Sequence, residues 1–165
     1  MIHKSQNKGF TIADLQKLLN EDIEETLSQV PLIKPSGETA QIKAYSQFLP
    51  IPQSTDEDDE NDFVPYVVTK IQTGEKNETD PFVITVGLII CVCNFGMNRE
   101  GHFDLLNIIQ RLENRFARRS YVGNFEVQPS FEFALQESDT HPFYYAGVIL
   151  KFNEPKSIKE DDFFA

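Results

Sequence analysis

Asp56, Asp58 and Glu60 stand at alternate positions in an acidic run, the spacing with which a calcium loop begins. Such a loop also needs glycine at its sixth position and a bidentate glutamate at its twelfth, and counted from Asp56 these places hold Asn61 and Val67. The run, about residues 53–62, reads instead as an exposed acidic loop that repels itself open. His3, His102 and His141 fall on a tail, a helix start and a turn, and no His/Cys/Asp cluster has metal-ligand spacing. Cys91 and Cys93, the only cysteines, share one face of a strand at i and i+2, poor geometry for a mutual disulfide. They read as buried, reduced thiols in a reducing compartment. The chain has no GxSxG, no glycine-rich phosphate loop and no Cys–His pair that spacing suggests. Its 26 acidic residues always offer carboxylate pairs, so a pair alone carries no information. The expectation is a protein with no catalytic residue, no cofactor and no metal.

The informative charges are cations. Arg111, Arg115 and Arg118 recur at i, i+4 and i+7 of a helical stretch, with Arg119 adjacent, and these are four of only 15 basic residues. Two readings stay open. Cations at a helix C-terminus complement its macrodipole, and arginine stems cover apolar edges. A basic ridge in an acidic chain also suits self-association against a neighbour's acidic face. The formal charge of −11 disfavours a grip on nucleic acid, which needs cations against phosphates. No apolar run approaches the ~18 residues of a membrane span, and the N-terminus lacks the apolar core of a signal peptide. Neither membrane insertion nor signal-directed secretion is expected.

The elements that must carry these residues are organised around 81–135. Residues 82–95 are apolar on both faces and read as a central strand covered on both sides. Leu105, Ile108, Ile109, Leu112 and Phe116 form one stripe of the arginine-bearing helix. Phe125, Val127, Phe131, Phe133 and Leu135 alternate with polar residues in a half-buried strand, where Pro129 marks an edge or a bulge. Upstream, Thr11 is the expected cap of a helix with the stripe Ile12, Leu15, Leu19, Ile23 and Leu27, ended at the latest by Pro31. Asp14 is placed to reach back toward Thr11 as in a capping box. Residues 31–37 read as a connection, and 38–48, 64–73 and 143–152 as further strands; Pro65 suggests an edge for the second of these, or a start from a loop. The order α-β-β-β-α-β-β predicts an α+β fold: a mainly antiparallel five-stranded sheet with two helices packed on it. The expected domain is 1–153, followed by a charged tail, 154–165, that ends in Phe163 and Phe164. Two aromatics after an acidic run either fold back on their own subunit or anchor a partner.

Within roughly residues 60–153, three motifs stand out. They are G-x-x-D-x-x-N-x-x-x-x-L (Gly101, Asp104, Asn107, Leu112), the strand Phe125–Pro129 (FEVQP) continuing as F-x-x-x-L-Q-E (Phe131–Glu137), and Pro142–Tyr145 (PFYY). On these the chain resembles a family of short proteins encoded among the tail-assembly genes of phages and prophages of Gram-positive bacteria, which are similar to tail terminators. The resemblance implies a structural virion protein, not an enzyme, assembled in the host cytoplasm as a homohexameric ring. Such a ring caps the tail tube protein, stops its polymerisation, offers a face to a head–tail connector protein, and lets DNA pass without specific binding. Ring contacts need two different surfaces on each subunit, a role the ridge Arg111, Arg115, Arg118 and Arg119 fits. The rival expectations are another head–tail connector or minor tail protein and, from a different class, a small cytoplasmic enzyme or ligand-binding domain.

Overall fold

The computed structural model describes residues 9–51, 60–79 and 81–155. Helix α1 (Ile12–Thr26) starts where its capping chemistry dictates. Thr11 is extended, and its hydroxyl accepts the Asp14 N–H at 3.0 Å. The Asp14 carboxylate reaches back past the cap and accepts the Gly9 N–H at 3.3 Å. The Thr11 hydrogen bond is the largest influence on the Asp14 carboxyl and, together with the backbone donors of Gly9 and Thr11, holds it below the usual carboxylate range against the opposing effect of burial. Thr11→Ala is expected to cost about 1 kcal/mol in urea unfolding; an unchanged midpoint would show that the cap contributes nothing. Leu15, Leu19 and Ile23 point into the core, and Leu27 follows them just past the last turn.

Residues 31–48, expected as a connection and one strand, divide into three short strands. β1 (Leu32–Ile33) and β2 (Thr39–Ala40) form a two-stranded hairpin around Gly37, whose φ of +91° a side chain would disfavour. β3 (Lys43–Ser46) leaves that hairpin and joins the main sheet. After a 3₁₀ turn (Glu60–Phe63) come β4 (Tyr66–Glu75), β5 (Val83–Cys93), α2 (Gly101–Arg118), β6 (Tyr121–Val122), β7 (Phe125–Leu135) and β8 (Phe143–Asn153). The main sheet runs β3-β4-β5-β8-β7-β6.

The fold is α+β with two helices, but the five-stranded, mainly antiparallel sheet expected from the sequence is corrected to a six-stranded mixed one plus the hairpin. Two physical reasons account for the difference. The turn after α2 contributes a sixth strand, β6, of only two residues, too short for any periodicity to betray. And β3 pairs with β4 in parallel, because residues 47–65 between them are long enough for a crossover. Pro65 marks a start from a loop, since β4 lies inside the sheet between β3 and β5.

The sheet also curls into a half-barrel. Flat, six strands would hold their edges roughly 24 Å apart. Yet α1 touches both edge strands, β3 and β6, although a helix is only about 10–12 Å across. A polar seam fixes α1 to one of those edges. Gln16 Nε2 donates to the Thr69 carbonyl at 2.8 Å and to Gln47 Oε1 at 2.9 Å, while the buried Thr69 hydroxyl donates to Asn20 Oδ1 at 2.7 Å. Glu24 accepts the outward N–H of Ala44, and Asn20 donates to the Ser46 hydroxyl, so α1 covers the edge of β3.

β5 is central, as its composition predicts, but its two faces differ. Ile84, Val86, Leu88, Ile90 and Val92 are at most 1% exposed beneath α1 and α2. On the opposite face, Cys91 and Cys93 pack in a smaller cluster with Val64, Tyr66 and Val68, while Ile89 is 38% exposed. Among the described residues, only the Cys93 end of that face is covered. Burial pushes the Cys91 thiol up to about 12, against hydrogen bonds from Tyr145 and Tyr66, and also raises Cys93, with the Asp104 charge adding to the latter. Burial raises Tyr45 too, and a hydrogen bond to Glu126 raises Tyr121. Because these folded-state values lie above the unfolded ones, the native state binds more protons at alkaline pH. Stability is therefore full below about pH 9 and is lost as pH climbs toward 12. A pH series of urea midpoints should show that decline, and the Cys91→Ser variant should show a shallower one; identical slopes would contradict the assignment.

Candidate subunit interface

Helix α2 carries the candidate ridge, and several contacts fix its placement. A Cβ on Gly101 would lie 2.2 Å from the Tyr144 ring, so the helix begins where only glycine fits beneath that ring. Asp104 in the first turn accepts from Asn94 Nδ2 at 3.1 Å and suits the positive end of the helix. Leu105, Ile108 and Leu112 drive into the core, and Phe116 meets Phe152 edge-on with ring centroids 6.4 Å apart. The residues of the motifs thus serve packing. Gly101 seats Tyr144, Leu112 and Phe125 are core, Gln128 donates to Asn153 Oδ1 at 2.8 Å, and Phe143 and Tyr145 pack on the cysteine cluster.

The four arginines divide into two kinds. Arg115 turns inward and is 8% exposed. Its Nε donates to Asp22 Oδ1 at 2.7 Å and its Nη2 to Asp22 Oδ2, a bidentate pair joining α2 to α1. Its remaining donors reach the carbonyls of Arg119 (2.6 Å) and Tyr121 (3.0 Å), closing the helix end onto β6. Arg111, Arg118 and Arg119 are exposed, and among the described residues none of them makes an ion pair. Together with Thr26 and Asn114 they rim an open cleft of about 330 Å³ where the end of α1 meets α2. Arg115 forms its floor, already neutralised by Asp22. The spacing i, i+4, i+7 put Arg111, Arg115 and Arg118 on one ridge; it could not show that the middle residue faces a carboxylate 93 positions away.

The remaining sequence candidates do not converge. His102 Nδ1 lies 3.1 Å from the Arg99 carbonyl and His141 Nδ1 3.0 Å from the Tyr144 hydroxyl, at separate places. Among the described residues no group of three or more His, Cys, Asp or Glu could hold a metal ion, and no helix is long and apolar enough to cross a membrane. His3, Asp56, Asp58, Phe163 and Phe164 lie outside the described residues. Compared with models of known protein families and with curated protein sequences, the chain matches none.

Two surface features escaped sequence reasoning. One is an open hollow of about 300 Å³ on the sheet face opposite the helices, lined by Gly87, Gly147, Ile89 and Ile149 among others. The other is a groove of about 440 Å³ between α2 and β7. Alternation tells which residues share a face, not whether anything lies over it.

Proposed function

We propose that this chain is a structural phage protein, a tail terminator that assembles into a hexameric ring, caps the tail tube and presents a head-joining face. One observation carries the ring: in a chain of charge −11, three exposed arginines rim a cleft and have no ion-pair partner among the described residues of their own subunit. Their natural complement is a carboxylate surface. The exposed Glu21 and Glu25 of α1 supply one on every copy. A basic cleft meeting a different, acidic surface of the next copy is a head-to-tail contact, the kind that closes into rings. The terminator role rests on the motif resemblance over α2 to β8. Capping follows from asymmetry, because one ring face matches the last layer of tube subunits and the other accepts no further layer. A net acidic ring also lets DNA pass its bore without adhering.

The test is direct. Purified protein, at increasing salt and magnesium to screen its charge, is examined by light scattering and electron microscopy, alone and with the tail tube protein of the same genome. Six-fold rings, and tubes that stop lengthening once the protein is added, are the expected result. A chain that stays monomeric in every condition and leaves tube growth unchanged would falsify the assignment.

A further inference from the structure

The sheet face turned away from α1 and α2 carries a pattern that fits a copy of itself. Strand register sets two rows of side chains next to each other there. From β4 through β5 and β8 to β7, one row reads Lys70, Gly87, Ile149, Glu132 and the next reads Val68, Ile89, Gly147, Ala134. The two isoleucines are diagonal neighbours, and each stands beside a glycine. Both protrude: Ile89 is 38% exposed and Ile149 37%. Gly147 is an open socket, since a Cβ there would meet only the Leu88 carbonyl, at 3.8 Å. Gly87 is shaded by the end of a side chain, for a Cβ on it would lie 2.5 Å from Gln72 Nε2, but Gln72 is exposed and long enough to swing aside. Phe48 and Ile51, both largely exposed, continue the apolar surface past β4.

We propose that two copies pack these faces together about a two-fold axis lying in the contact plane, parallel to the strands and between β5 and β8. Such an axis reverses the strand order, so β5 of one copy lies over β8 of the other. Ile89 then enters the socket at Gly147 of the second copy, Ile149 meets Gly87 with Gln72 swung aside, and Lys70 faces Glu132. Large opposes small and plus opposes minus all along both rows. That inversion selects a second copy over any other apolar occupant. The charges also suit the shape of the sheet. It curls toward the helices, so this face recedes at β4 and β7, where Lys70 and Glu132 are long enough to span the wider gap. Aligned sheets pack with their strands within about 30° of each other, an angle that keeps rows so near the axis superposed. Four strands over three same-face positions give roughly 400 Å² of sheet per copy. This is short of the ~800 Å² per partner of a standard interface, so the dimer is a weak one. The arginine cleft lies on the helix side, and the contact is therefore independent of any ring.

Analytical ultracentrifugation of the full chain over a wide concentration series tests the proposal, and a monomer–dimer equilibrium is the expected result. Gly147→Val is the deciding variant, because it makes the face more apolar while filling the socket. A β-branched residue suits a strand and the site has room for it, so the urea midpoint should hardly move. The dimer should nonetheless weaken about tenfold or more, since Ile89 of the second copy loses its seat. Lys70→Glu and Glu132→Lys should each weaken it about tenfold by setting like charges opposite each other, and the two together in one chain should restore it. If the valine variant does not fold, this charge exchange carries the comparison, and a double variant that fails to recover overturns the proposal. So does a chain that stays monomeric throughout, or a dimer that Gly147→Val leaves equal or tighter. A dimer lost instead in Arg111→Glu/Arg118→Glu belongs to the arginine cleft and overturns the proposal as well.

Discussion

Replacing Asp22 with Ala should lower stability by about 3–5 kcal/mol, because it strands a buried cation. The Arg115 side chain is 6% exposed, and two of its donors already reach backbone carbonyls that cannot neutralise it. A loss of that size is a large part of the ~5–15 kcal/mol that holds a typical domain together. It would appear as a drop in the urea midpoint with little change in slope. The double replacement Asp22→Ala/Arg115→Met removes both charges and keeps an apolar stem over Phe116, so it should recover much of the loss. Full recovery is not expected, since the carbonyls of Arg119 and Tyr121 lose their donor. A single-variant cost below about 1 kcal/mol would place the pair with ordinary surface ion pairs and contradict the burial described above.

The second large effect concerns assembly and leaves the fold alone. Arg111→Glu combined with Arg118→Glu reverses the exposed rim of the cleft without touching Arg115. Exposed charge changes typically alter stability by no more than ~0.5 kcal/mol, so the unfolding midpoint should hardly move. Ring formation and the capping of tubes should both be abolished, and Glu21→Arg/Glu25→Arg in the same chain should restore them by exchanging the signs across the contact. Rings that form normally from the charge-reversed protein would remove the cleft from the interface. The separation matters because Arg115 lies within the same ridge. Reversing it would unfold the subunit, and lost assembly would then say nothing about contacts between copies.

Particular residues show how far the sequence could be read. The stripe Leu105–Phe116 and the alternation Phe125–Leu135 gave both elements, since each records one covered face in its period. Thr11 marked the start of α1 because the cap is a local interaction. Ala40, Ile42 and Ala44 alternate as one strand would, yet the chain breaks between Ala40 and Lys43 and sends the pieces to different sheets. Alternation has no term for pairing partners. Phe133 sits in register with its buried neighbours and still meets solvent, because nothing in the described chain lies beside it. The arginine ridge was visible as spacing, but which of its members faces inward depended on Asp22, a residue of another helix. The motifs on which a resemblance to phage tail proteins was expected include residues that pack Tyr144 and the core.

The clasping of both sheet edges by α1 has a consequence for how the chain acquires its structure. α1 precedes the other described elements in sequence, yet besides its nearer bonds to Ala44 and Ser46 it is held by Thr69, 53 positions after Gln16, and by Arg115, 93 positions after Asp22. β6, its contact at the far edge, comes later still. Partners so distant in sequence make loop closure precede any gain from contact, which slows folding. During synthesis α1 therefore lacks part of its packing, the far-edge contact included, until β6 has emerged. A chain interrupted before α2 would leave the stripe of Leu15, Leu19 and Ile23 only partly covered and open to whatever is nearby.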